Sequence, residues 1–318
     1  MPVNTDDLVA LGRALGPRAR PDHPLGALTT YRVGGTAALF VEAEDEGRLV
    51  EVARALGRSP VPVLVVGNGS NLLVADRGFG GLVVSLGPGF ETLSIEGERV
   101  RAGAAVSLPV LARRTAAAGL HGLEWAVGVP GSVGGAVRMN AGGHGSDTAA
   151  TLIAYRWVDL ASGEVAEASA GRLGLAYRHS LLASTEVVVA AVHQLERGHP
   201  DRGRAAIDEI VRWRRANQPG GSNAGSVFTN PPGDSAGRLI EGCGLKGFRL
   251  GTAEVSTRHA NFIQADPAGS ADDVHRLIRH VQGVVAGATG VHLRTEVRLV
   301  GFADAATGDG TGPGSGSR

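Results

Sequence analysis

The 318 residues balance 31 lysines and arginines against 31 aspartates and glutamates, so no net field draws the chain to nucleic acid or an anionic membrane. A single cysteine, Cys243, excludes an intramolecular disulfide and a thiolate-rich metal centre, and no run approaches the roughly 20 apolar residues of a membrane span. The length suits two or three domains, and Met1 to Arg20 lacks the apolar run of an export signal, so a cytoplasmic monomer is expected.

Along the chain, Thr5 is placed to cap a helix carrying Leu8, Val9, Leu11 and Leu15, which the Gly16-Pro17 turn ends. Tyr31 to Glu42 is strand-like, Asp45 opens a helix with Leu49, Val50 and Leu56, and Val61 to Val66 reads as a buried strand, together a β-α-β crossover. Strand-and-turn segments follow at Gly78 to Leu86, Thr92 to Ala102 and Gly163 to Ala168, with a helix at Pro109 to Ala118, which predicts a mixed sheet. Asp201 to Asn217 reads as a helix stopped by Gln218-Pro219, and a domain boundary falls near 200. Ser270 caps a helix in which Val274, Leu277, Ile278, Val281 and Val285 recur at helical spacing. Val291 to Gly301 alternates apolar and charged residues, predicting a strand with one polar face. Ala303 to Arg318, rich in Gly, Ser, Thr and Asp, is expected to be a disordered tail.

Glycine, at 49 residues, gathers in loops. After Val66, the run Gly67-Asn68-Gly69-Ser70-Asn71 offers backbone donors suited to an anion, while Leu72 at the third glycine position disfavours a nicotinamide-binding Rossmann fingerprint. Gly128 to Gly143, with Gly131, Ser132, Gly134, Gly135 and Asn140, has almost no charge and fits an extended ligand laid along backbone amides. Either loop alone reads first as tight turns; two in one prospective domain point to a bound cofactor.

Arg178, after Tyr177, could hold a carboxylate in its planar fork, although a lone arginine is ordinarily a solvated charge. Ser226 lacks the elbow and partner histidine of a hydrolase, which leaves a turn serine or a proton donor. Glu296 between Arg294 and Arg298 reads as part of a charged ladder, and the run Arg212, Arg214, Arg215 as a solvated helix face. The histidines are dispersed, with His275 and His280 five apart, so no metal site is predicted.

In order, Thr29 to Ala37, Gly67 to Val74, Gly131 to Gly142, Tyr177 to Ser180, Gly225 to Pro231, Gly244 to Gly247, His259 to Ile263 and Glu296 to Arg298 resemble the UDP-N-acetylenolpyruvoylglucosamine reductases. The resemblance implies an α+β protein: an FAD-binding domain of the vanillyl-alcohol-oxidase type over residues 1–200, in two α/β lobes divided near 85, then an α/β substrate-binding domain over 201–302. It implies FAD held by Gly67, Asn68, Gly69, Ser70 and Asn71 together with Gly131, Ser132, Gly134, Gly135 and Asn140. NADPH would give the hydride and UDP-N-acetylglucosamine enolpyruvate would receive it. Arg178 and Glu296 would stabilise the charge that develops near the substrate carboxylate, and Ser226 would give the proton. Tyr177, Asn230, Lys246 and His259 would bind substrate, the last three near its uridine diphosphate.

No tyrosine-bearing insertion interrupts Ser180 to Gln194, which matches the short class of the family. Asn217 stands near where much of the family carries a lysine, and Thr252 replaces a common glycine. Two rivals are a sugar or alcohol oxidase on the same scaffold and a non-catalytic nucleotide-sugar-binding protein, separable by flavin colour and by the oxidant that restores it.

Overall fold

A computed structural model describes residues 4–302; the expected tail from Ala303 onward lies outside the described residues. Helix α1 (Thr5–Leu15) is capped by Asn4 instead of Thr5, because the Asn4 carboxamide accepts the Asp6 N–H at 3.1 Å. The first sheet runs in the order Ala19–Pro24, Thr36–Ala43, Phe79–Leu86, Val63–Val66. Its first pair is antiparallel and the other two are parallel. Helix α2 (Glu46–Leu56), capped by Asp45 as expected, makes the crossover, and Phe79–Leu86 lies between the strands it joins. The strand expected from Tyr31 begins only at Thr36. Gly35 donates instead to the Ala75 carbonyl (3.0 Å), and Tyr31 is wholly buried in a different core.

The second lobe is a five-stranded antiparallel sheet ordered Val165–Ser169, Leu152–Asp159, Glu186–Gln194, Arg99–Gly103, Leu93–Glu96. One face packs Val158, Leu160, Val187 and Val189 into the first lobe's core. The other is covered by α3 (Leu108–Ala117) and α4 (Val133–Met139), the latter formed within what read as an unbroken glycine loop. Helix α5 (Pro200–Asn217) also belongs here by packing, since Ile207 is buried in this core with Ile210 and Val211 against it.

The C-terminal part combines α6 (Ala236–Gly242), a small sheet of Arg249–Leu250, Ala253–Val255 and Ile263–Ala265, and α7 (Ala271–Thr289). Ser270 caps α7 as expected, accepting the Asp273 N–H. Val274, Leu277, Ile278, Val281 and Val285 are all fully buried, each worth about 2 kcal/mol in transfer free energy. From the first lobe, Asp76 accepts the Ala271 and Asp272 N–H groups at 2.9 and 3.2 Å and so clasps the start of α7. The strand expected over 291–301 shrinks to Arg298–Val300, which pairs in parallel with Leu72–Val74.

Candidate active site

Where the two lobes and the C-terminal part meet, a cleft of about 630 Å³ opens and continues into a cavity of about 160 Å³ between the lobes. Gly67, Asn68, Ser132, Gly135 and Arg138 border both spaces. The strand Val63–Val66 delivers the first glycine loop. At Gly69 (φ 56°) the chain is left-handed and a Cβ would overlap the Leu28 carbonyl, so only glycine fits. At Gly67 a Cβ would collide with the Ser132 hydroxyl, and at Gly131 it would come within 3.4 Å of the Ser70 hydroxyl, so the two glycine loops approach closely with only small serine hydroxyls at those two contacts. Ser132 caps α4, accepting the Gly135 N–H at 3.4 Å. Bare backbone on both loops and a space running on between the lobes fit an elongated dinucleotide such as FAD.

Gly69, Ser70, Asn71 and Gly131 also line the cleft; Gly134 borders only the smaller cavity. Asn140, expected at the cofactor, is buried and directs its amide inward. It ends α4 in the left-handed region, donates to Asp147 (3.1 Å) and to the Ala176 carbonyl (3.0 Å), and accepts the Ala149 N–H (3.0 Å).

The Ala176 carbonyl opens the tight turn that presents Arg178, closed by the His179 N–H at 3.0 Å. Arg178 Nε donates to Glu296 Oε1 at 2.6 Å and Nη2 to the Gly142 carbonyl at 2.9 Å. Glu296 is therefore not a rung in a ladder with Arg294 and Arg298; it lies outside any strand and faces the cleft. Its N–H donates to the Val227 carbonyl (2.8 Å) and its carbonyl accepts from Asn71 Nδ2 (3.0 Å). Burial pushes its carboxyl above the usual carboxylate range, against the opposing pull of Arg178. Ser226, one residue before Val227, lines the same cleft. Its loop is held by Asn261, whose side chain accepts the Phe228 N–H (2.9 Å) and donates to the Phe228 carbonyl (2.8 Å).

Asn230 lies at the cleft edge and accepts the Ala236 N–H at the start of α6 (3.1 Å). Tyr177, Lys246 and His259 stand outside the cleft lining. Tyr177 is exposed beneath the Arg178 guanidinium, 5.0 Å from its ring centre, and Lys246 pairs with Glu241 of α6 at 2.7 Å. The His259 ring meets Phe262 edge-on at 4.8 Å, and Phe262 does line the cleft. Burial first, and the Lys246 charge after it, keep the His259 imidazole below its ordinary value.

Among the cleft residues that the sequence did not mark as site residues are Arg138, His144, Trp213 and Arg214. Arg214 is not on a solvated face. It is half-buried, with its pKa lowered by burial, and donates to Gln218 Oε1 at 2.7 Å. Arg212 and Arg215 are exposed. The signal was present, since Arg214 falls on the helical face of Ile207, Ile210 and Val211. Arg138 donates to the Ala183 and Glu186 carbonyls (2.8 and 2.7 Å), and burial, then Arg298, lowers its pKa to about 10.

Residues 37–169 match the model of an FAD-binding domain, and residues 217–300 that of the UDP-N-acetylenolpyruvoylglucosamine reductase C-terminal domain. The UDP-N-acetylenolpyruvoylglucosamine reductase of Rubrobacter xylanophilus is 42% identical over 290 residues, covering 90% of this chain and 97% of that one. That of Heliobacterium modesticaldum is 43% identical over 283 residues, covering 87% and 89%. The crystal structure of the Thermus caldophilus reductase matches with a TM-score of 0.79 at 36% identity, over 89% of this chain and 99% of that one. With the FAD-binding match spanning both glycine loops and the C-terminal match carrying Ser226 and Glu296, the chain belongs to the UDP-N-acetylenolpyruvoylglucosamine reductase family.

Proposed function

We propose that this chain catalyses the NADPH-dependent reduction of UDP-N-acetylglucosamine enolpyruvate to UDP-N-acetylmuramate, a step toward peptidoglycan precursors, with FAD held between the glycine loops. The observation that carries the reading is the Arg178–Glu296 pair. Its members, 118 residues apart in sequence, meet at 2.6 Å on the cleft that also bears Ser226.

When bound between the glycine loops, FAD would supply the hydride chemistry that links NADPH to the enolpyruvyl methylene carbon. Addition there drives negative charge toward the substrate carboxylate. Arg178, oriented by Glu296 and the Gly142 carbonyl, stabilises that charge without having to reorganise. Ser226 gives the proton to the neighbouring carbon, a transfer open to a weak acid when the acceptor is a strong base screened from water. Gly67 to Asn71 with Gly131, Ser132, Gly134 and Gly135 would hold the cofactor through backbone groups, while Asn140 acts on the substrate side by fixing the Arg178 turn. Asn230, with Lys246 and His259 farther out, takes the nucleotide end of the substrate, Lys246 acting as a point charge for phosphate, while Tyr177 meets the substrate beside Arg178.

In this reading the FAD-binding domain runs to about 217, because α5 packs on the second lobe, and the substrate-binding domain follows to 302. Both halves of the cleft come from one chain, which supports an active monomer, and a reaction that draws its hydride from NADPH fits the cytoplasm. The test is an anaerobic visible spectrum of the purified protein. NADPH should bleach the flavin band and the sugar nucleotide should restore it. Restoration by oxygen alone would favour the oxidase, and no flavin band after FAD supplementation would sink the reading.

A further inference from the structure

The hairpin Gly142–Gly143/Ser146–Asp147 turns through His144 (φ 52°) and Gly145 (φ 84°), both in the left-handed region. Two positive φ values in a two-residue turn are the pattern of a type I′ hairpin, where asparagine and glycine are the ordinary occupants. A histidine there is less usual than asparagine or glycine and carries a modest backbone cost. What the position achieves is delivery of an imidazole to the cleft, where it meets Trp213 of α5 with ring centres 5.1 Å apart and planes at 90°. Trp213 is 47% exposed, while Trp125 and Trp157 are buried. Gly128, from a third segment, leaves room for the imidazole, since a Cβ there would stand 3.3 Å from it.

We propose that His144 and Trp213 form a right-angled aromatic corner that receives the planar heteroaromatic base of a nucleotide entering the cleft. A flat base fills such a corner by lying on one ring and meeting the other edge-on. Burial and the Arg214 charge hold the His144 pKa below its ordinary value, so the ring is neutral at pH 7 and suited to stacking. The inference rests on the proposed reaction, which offers two sources of such a base: the nicotinamide dinucleotide and the uracil of the sugar nucleotide.

The test uses the FAD-loaded full chain. Titration with NADP⁺ and, separately, with UDP should quench tryptophan fluorescence in one case, because Trp213 is the exposed tryptophan. His144→Ala and Trp213→Ala should each raise by about tenfold the half-saturating concentration of one ligand, NADPH for flavin bleaching or sugar nucleotide for its recovery. His144→Tyr and Trp213→Phe, which keep a flat ring, should stay within about twofold of the parent. A shift confined to the NADPH arm assigns the corner to the dinucleotide, and one confined to the sugar-nucleotide arm assigns it to uracil. No shift in either arm, or loss of FAD from either alanine variant, overturns the proposal. A parent protein that NADPH fails to bleach would instead count against the reaction.

Discussion

At Glu296 burial and ion pairing pull the carboxyl in opposite directions, and burial is the larger. A carboxyl whose native pKa is raised contributes stability below the ordinary carboxylate value and loses it as pH rises through the raised one. The ionised form that Arg178 needs at neutral pH is thus held at a cost in stability, as at many functional sites. Glu296→Gln should lower kcat at least a hundredfold with FAD retained. Its Tm should gain on the parent's as pH rises through the raised value, which parallel melts across pH would check. His193 shifts the other way: buried against Thr151 (Nδ1 to Oγ1, 2.9 Å), it has its pKa lowered by burial to about 4. The unfolded chain takes up that proton near 6.5 and the folded chain does not, so stability is lost as pH falls from about 6.5 to about 4, at about 1.4 kcal/mol per pH unit. In His193→Asn the acid limb of a stability-versus-pH curve should be shallower by that amount.

Among the elements, α4 links the second glycine loop to the turn that carries Arg178. Its start is capped by Ser132 of the second glycine loop, and its end, Asn140, holds the turn of Arg178. Asn140→Ala should cost about 2 kcal/mol and lower kcat about tenfold while FAD stays bound; thermal melts with steady-state kinetics would check both. This coupling was not legible in the sequence, because glycines at 134 and 135 masked the helix. Elements with one wet face were legible: α2 and α7 stand with the expected caps, Asp45 and Ser270. The strands Leu152–Asp159 and Glu186–Gln194 drew no expectation. They sit at the centre of a sheet covered on both faces, and Glu186–Gln194 is buried at nearly every position, so no period of two appears. Conversely, the alternation over 291–297 suggested a strand where the backbone turns aside to bond the Val227 carbonyl and Asn71. Arg178 and Glu296 could be matched by motif, yet no local pattern shows that residues so far apart form a pair.

For the molecule as a whole, the cleft is a product of interleaving. Tyr31, Val33, Leu73 and Ala75 lie in the core built around α7, and Arg298–Val300 returns to pair with Leu72–Val74 directly after the first glycine loop. A chain ending at Val297 should lose that pairing and the Arg298 N–H to Asn71 carbonyl bond (3.0 Å), and should leave a sizing column colourless where the chain ending at Phe302 leaves it yellow. The return of the last strand also sets a schedule. Asn71 is translated 225 residues before Glu296, the partner that fixes it. At about 5–20 residues per second the loop emerges from the ribosome on the order of ten seconds or more before that partner exists. With the first glycine loop in its proposed role as a flavin clamp, holo-protein formation in a cell should track completed chains, and stalled nascent chains should carry no flavin.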